Sequence, residues 1–129
     1  MYFHHLFEIE TDIFKGVAPR PDAINELIGG DEFAVWLRER LILQQISCKD
    51  IYAEDHGWDF VLNVVGRSYL IVCSCEFEDE ELSTEWHSVQ IAQIKGEIIE
   101  ADPILDLLRK LLIDASELTV LADESISRR

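Results

Sequence analysis

Residues 58–77 constrain the fold more than any other stretch. WDFVLNVV and SYLIVCSCEF are two apolar-rich runs separated by Gly66-Arg67. Both carry the β-branched and aromatic residues that suit a pleated surface, so the pattern predicts a β-hairpin. Glycine at the first loop position suits a type II′ turn. With Gly66 and Arg67 as the loop, Val65 faces Ser68. Trp58 then pairs with Cys75, Phe60 with Cys73, Leu62 with Ile71, and Val64 with Tyr69. Strand side chains alternate, so these eight share one face, which is continuously apolar and is the expected core face. The other face carries Asp59, Asn63, Ser68, Ser74 and Glu76 among Val61, Val65, Leu70 and Val72. That mixture predicts a face partly solvated or partly covered.

Elements on either side fit around the hairpin. Partial alternation through Phe7, Ile9, Thr11 and Ile13 predicts a first strand. Residues 22–28, DAINELI, predict a short helix, with Pro21 near its start and Gly29-Gly30 stopping it. Asp31 then reads as an N-cap, with Glu32 well placed against the helix dipole. Phe33, Trp36, Leu37 and Leu41 recur at helical spacing and predict a helix from about 32 to about 46. EFEDEELSTE, residues 76–85, carries six acids and predicts a loop. WHSVQIAQIK, residues 86–95, predicts a third strand ended by Gly96. Asp102-Pro103 opens a second helix as N-cap and N1, with an apolar stripe through Ile104, Leu105, Leu108, Leu111 and Leu112. ASELTVLADE extends that helix or restarts it at Ser116. The expected fold is α+β: an antiparallel sheet of three to four strands with two main helices packed on one face. The connections are too short for parallel crossovers.

The chain has 129 residues, which fits one domain over 1–129 and allows a core without disulfides or metal. Its 48% hydrophobic content argues against disorder. With 26 acidic and 11 basic residues the net charge is −15, spread along the chain without a detached tail. Such a charge disfavours nucleic acid and anionic membranes as ligands, because both need clustered Lys and Arg. It favours a basic protein as partner. The bare alternative is that the charge only keeps the chain soluble. MYFHHLFEIE lacks a basic n-region and a long apolar h-region, so no secretory leader is expected. Three cysteines, an odd number, suggest no disulfide framework and a reducing cytoplasm.

AEDHGWDF, residues 53–60, is the densest candidate site. Glu54, Asp55 and His56 are of the types that supply a general base or metal ligands. Three consecutive residues do not converge on one point, however, and a turn explains more. Asp55 favours a turn, Gly57 relieves the backbone, and Trp58 opens the core face of the next strand. The stretch Glu54, Asp55, His56, Gly57, Trp58 ahead of a hairpin resembles an acidic-Asp-x-Gly-Trp motif of small uncharacterised bacterial domains. The resemblance spans about a third of the chain with the hairpin included, departs from the motif at His56, where an aromatic is usual, and implies no particular activity.

Other constellations are weaker. Cys73-x-Cys75 puts both sulfurs on the core face, where cysteine packs as a small hydrophobe. Structural zinc needs four ligands, and no second pair appears. His4 and His5 point to opposite faces, and His87 stands alone in sequence. No metal or cofactor is expected, and none of the common hydrolase or phosphate-binding motifs is present. The leading reading is a non-enzymatic acidic domain that binds another protein, immunity- or inhibitor-like toward a basic partner. Glu54, Asp55, His56 and Trp58, with Asp79, Glu80 and Glu81 of the acidic loop, are the candidate binding residues. The alternative is a small ligand-binding or hydrolase-like domain using the Glu54–Trp58 corner.

Overall fold

The computed structural model describes residues 4–14, 28–76 and 85–126. Along these residues run β1 (His4–Thr11), β2 (Ile28–Gly29), α1 (Asp31–Leu43), β3 (Ser47–Cys48), β4 (Tyr52–Glu54), β5 (Gly57–Val64), β6 (Arg67–Glu76), β7 (Glu85–Lys95), α2 (Pro103–Asp114) and β8 (Thr119–Ser125). The path across the sheet is β3-β5-β6-β7-β1-β8, with β4 also on β5 and β2 on the end of β6. Every pairing is antiparallel. This corrects the expected α+β arrangement of three to four strands: the chain is predominantly β, and its sheet holds more strands.

The largest single difference is β8. Ala, Glu and Leu in ASELTVLADE are good helix formers, but α2 ends at Asp114 and Ala115 adopts extended backbone. Residues 119–125 then pair along β1, from Glu10–Thr119 to His5–Ser125. Thr11 Oγ1 donates to the Glu117 carbonyl at 2.8 Å and pins the turn that leads in. A bulge between Glu8 and Ile9 leaves Leu121 outside the pairing. Tertiary pairing overrides local propensity here.

The hairpin keeps its faces and loses its register. Val64 pairs with Arg67, Phe60 with Ile71 and Trp58 with Cys73, so the loop is Val65-Gly66. Gly66 takes φ +78 at the second loop position, while Val65 points fully into solvent. The shift is two residues, which preserves side-chain parity, so the same apolar set still faces the core. The N-cap of α1 also moves: Gly30, in left-handed backbone at φ +118, occupies it, and Asp31 is the first helical residue. A Cβ at Gly30 would stand 2.8 Å from the Cys73 carbonyl oxygen, so the site demands glycine on both counts. The N-cap of α2 is Asp102 as expected, accepting from Ile104 N at 2.8 Å. The helix expected over 22–28 lies outside the described residues except for Ile28, which belongs to β2. Asp79, Glu80 and Glu81 lie outside them too.

Both helices cover one face of the sheet. Phe33, Leu37 and Leu41 of α1 and Ile104, Leu108 and Leu112 of α2 join Phe7, Ile9, Trp58, Phe60, Tyr69, Ile71, Val89 and Ile91 in one buried cluster. Arg67 clamps the hairpin to α2, donating to Tyr69 Oη at 2.6 Å and to Asp102 Oδ2 at 3.3 Å. Among the described residues, no helix packs on the opposite face.

Candidate functional site

The AEDHGWDF corner is itself a hairpin. Glu54 pairs with Gly57, leaving Asp55-His56 as its loop. Gly57 has φ +151, and a Cβ there would meet the Cys73 carbonyl oxygen at 2.5 Å. The strand that follows splits the predicted group. Trp58 turns into the core, 2% exposed, while Glu54, Asp55 and His56 remain at the surface. In place of Trp58, the structure gives His56 a different neighbour. Its Nε2 lies 2.9 and 3.0 Å from the two carboxylate oxygens of Asp59.

Asp59 was legible in sequence as a residue of the non-core face, but its burial was not. β4 hydrogen-bonds alongside and sets Tyr52 directly opposite it. Burial raises the Asp59 carboxyl above the ordinary carboxylate range, and the hydrogen bond from His56 works against that shift. The folded chain therefore keeps this proton to higher pH than the unfolded chain. Its contribution to stability falls as pH rises from the ordinary Asp range through the raised value, then levels off. Asp59→Asn should gain stability relative to the native chain across that window. Urea midpoints of the two proteins at stepped pH check it, and a difference independent of pH contradicts the assignment.

A second group converges where the sequence shows nothing in one place. β7 carries Glu85 opposite Thr11 and His87 opposite Ile9. On its other side Ser88 pairs with Ser74, which brings Cys75 of β6 next to His87. Cys75, Glu85 and His87 each offer a ligand atom, and these atoms lie within 4.8 Å of one another. His87 is 3% exposed and packs against the rings of Phe33 and Phe14, at 5.2 and 5.6 Å between centroids. Burial lowers its pKa to about 4, so the ring is neutral at neutral pH. Neither ring nitrogen makes a hydrogen bond among the described residues. A small cavity of about 10 Å³ opens among Cys75, Glu85, His87, Gly30 and Asp31.

The two core-face cysteines thus have different surroundings. Cys73 is enclosed in the core, where burial pushes its thiol far above the ordinary range. Cys75 is at the sheet's end beside Glu85, its Sγ 4.0 Å from Oε2. Both are buried and unbridged, and Cys48 is half-buried. Native-state alkylation should therefore modify Cys48 first, with Cys73 and Cys75 lagging far behind. Mass mapping of the adducts measures this, and rapid modification of all three would contradict the burial.

A wider groove of about 400 Å³ runs between the C-terminal parts of the helices, past Arg40, Gln44, Leu107, Lys110 and Asp114. Its charges are engaged locally: Lys110 donates to Asp114 at 2.7 Å, and the Arg40 guanidinium lies 3.7 Å over the Trp36 ring. No helix among the described residues is long and apolar enough to cross a membrane. No protein-family model, curated protein or solved structure matches the chain.

Proposed function

We propose that the chain is an acidic protein-binding domain that engages a basic partner through the face of its sheet opposite α1 and α2. The observation that carries this reading is the composition of that face. Cross-strand pairing lines up Val61, Leu70, Ala92 and His4 in one row. Asp59, Val72, Gln90, Leu6 and Glu124 form the next. Ser74, Ser88, Glu8 and Ala122 follow. Trp86 pairs with Glu10 beyond them and is 62% exposed. Half-buried aliphatic groups thus run through the middle with carboxylates among and around them. No Lys or Arg stands in these rows.

Such a face suits an interface with an apolar centre, an aromatic anchor and a charged surround. A net charge of −15 steers basic proteins toward it and repels nucleic acid and anionic lipid. The acidic run that contains Asp79, Glu80 and Glu81 adds negative charge between β6 and β7 in sequence. An immunity- or inhibitor-like role in a reducing cytoplasm is the sharpest form of this reading.

Charge reversal tests it. A partner captured on the native chain should lose most of its affinity for Glu8→Lys/Glu124→Lys, two exposed-face changes that leave the core untouched. Association should also slow with added salt, and more so for the native chain than for a variant neutralised at Asp79, Glu80 and Glu81. Undiminished binding by the reversed variant, or a salt-independent on-rate, would remove the electrostatic basis of the proposal.

A further inference from the structure

We infer that Cys75, Glu85 and His87 form a binding site for one zinc-class divalent cation at the end of the sheet. Thiolate, carboxylate and imidazole together are a donor set for a borderline metal, and they disfavour Mg²⁺ and Ca²⁺, which take oxygen ligands. The spacing is close to that of a coordination shell. In a tetrahedral zinc site, bond lengths near 2.3 Å for sulfur and 2.1 Å for oxygen or nitrogen set a sulfur–oxygen edge of about 3.6 Å and a nitrogen–oxygen edge of about 3.4 Å. Here Cys75 Sγ stands 4.0 Å from one carboxylate oxygen of Glu85, Oε2. His87 Nε2 stands 3.6 Å from the other, Oε1. One ligand atom from each of the three residues lies within 4.8 Å of the others, a set somewhat wider than a closed coordination shell.

His87 supplies an independent argument. Buried polar atoms are almost always hydrogen-bonded, and an exception calls for an unseen partner. Among the described residues neither of its ring nitrogens has a hydrogen-bond partner, while the ring is held between Phe33 and Phe14. The ring is thus fixed beside the cavity, which has room for one ion. With three protein donors, a fourth position is left to water or to an atom of a bound molecule. The site lies in the same fold as the proposed interface but does not depend on it, since its ligands sit on the core face of β6 and β7.

The test uses the full chain freed of metal with a chelator and titrated with Co²⁺, followed by absorption, and with Zn²⁺, followed by calorimetry. Saturation should come at one ion per chain, with a thiolate-to-cobalt charge-transfer band and a melting temperature that rises with metal concentration. Ca²⁺ and Mg²⁺ should give no saturable binding. Cys75→Ser should abolish the band, and His87→Gln should weaken binding on the order of 100-fold or more, given that even the outer partners of metal ligands are worth 10–100-fold. Cys48→Ser and His56→Gln should bind like the native chain. Absence of the band in the native protein overturns the site whether or not the core variants fold. So does a band that survives Cys75→Ser or disappears in Cys48→Ser.

Discussion

Trp58→Ala should cost about 3–5 kcal/mol of folding stability. The side chain is 2% exposed and lies between strand partners, Ala53 on β4 and Cys73 on β6. Truncation removes a large apolar surface from water-free packing and leaves a cavity that two paired backbones cannot collapse to fill. The backbone beside it is closely packed as well, since the Cys73 carbonyl leaves no room for a Cβ at Gly57, which restricts relaxation further. Urea denaturation of the two proteins measures the loss. A change below about 1 kcal/mol would mean that Trp58 is a surface residue and that β5 presents its other face to the helices.

Asp102→Ala should be of comparable size, about 3–5 kcal/mol, because one carboxylate holds three groups. Its Oδ1 accepts from Ile104 N and caps α2, and its Oδ2 accepts from Tyr69 Oη at 2.5 Å and from Arg67 Nη1 at 3.3 Å. Loss of the cap alone is worth about 1 kcal/mol. The rest comes from stranding a buried phenol hydroxyl and a guanidinium that is mostly shielded from water. Burial, followed by the bond to Asp102, pushes the Tyr69 hydroxyl well above its ordinary pKa, so it is a donor at neutral pH. Asp102→Asn keeps a cap and an acceptor and should cost less. A double-mutant cycle with Tyr69→Phe should give a clear coupling energy, of 0.5 kcal/mol or more. Additive losses would show that the cap acts alone.

What the sequence revealed depended on how local each feature is. The core face of β5 and β6 was legible because alternation survives a two-residue slip, and the cap of α2 was legible because Asp-Pro acts within one turn. The hairpin register was not, since it hung on which of Val65, Gly66 and Arg67 formed the loop. β8 was hidden because its only reason to be extended is β1, more than a hundred residues earlier. β4 was hidden inside a stretch that reads as turn chemistry, and with it the burial of Asp59. Of the corner residues, His56 acquired a defined partner, Glu54 and Asp55 stayed at the surface, and Trp58 became core. The convergence of Cys75, Glu85 and His87 was out of reach for the same reason as β8. It exists only once β6 and β7 are set in register, and no spacing rule spans their connection.

The face opposite α1 and α2 is the centre of the proposed function, and mapping a bound partner onto it is the most direct test. With the chain labelled with ¹⁵N and a basic partner titrated in, amide shifts should concentrate along β1, β6 and β7, at Leu6, Glu8, Leu70, Val72, Gln90 and Trp86. They should fade as salt is raised, because exposed charges are screened within about 10 Å at 0.1 M. Shifts confined to α1 and α2, or to the groove past Arg40 and Lys110, would contradict the assignment of this face as the binding surface.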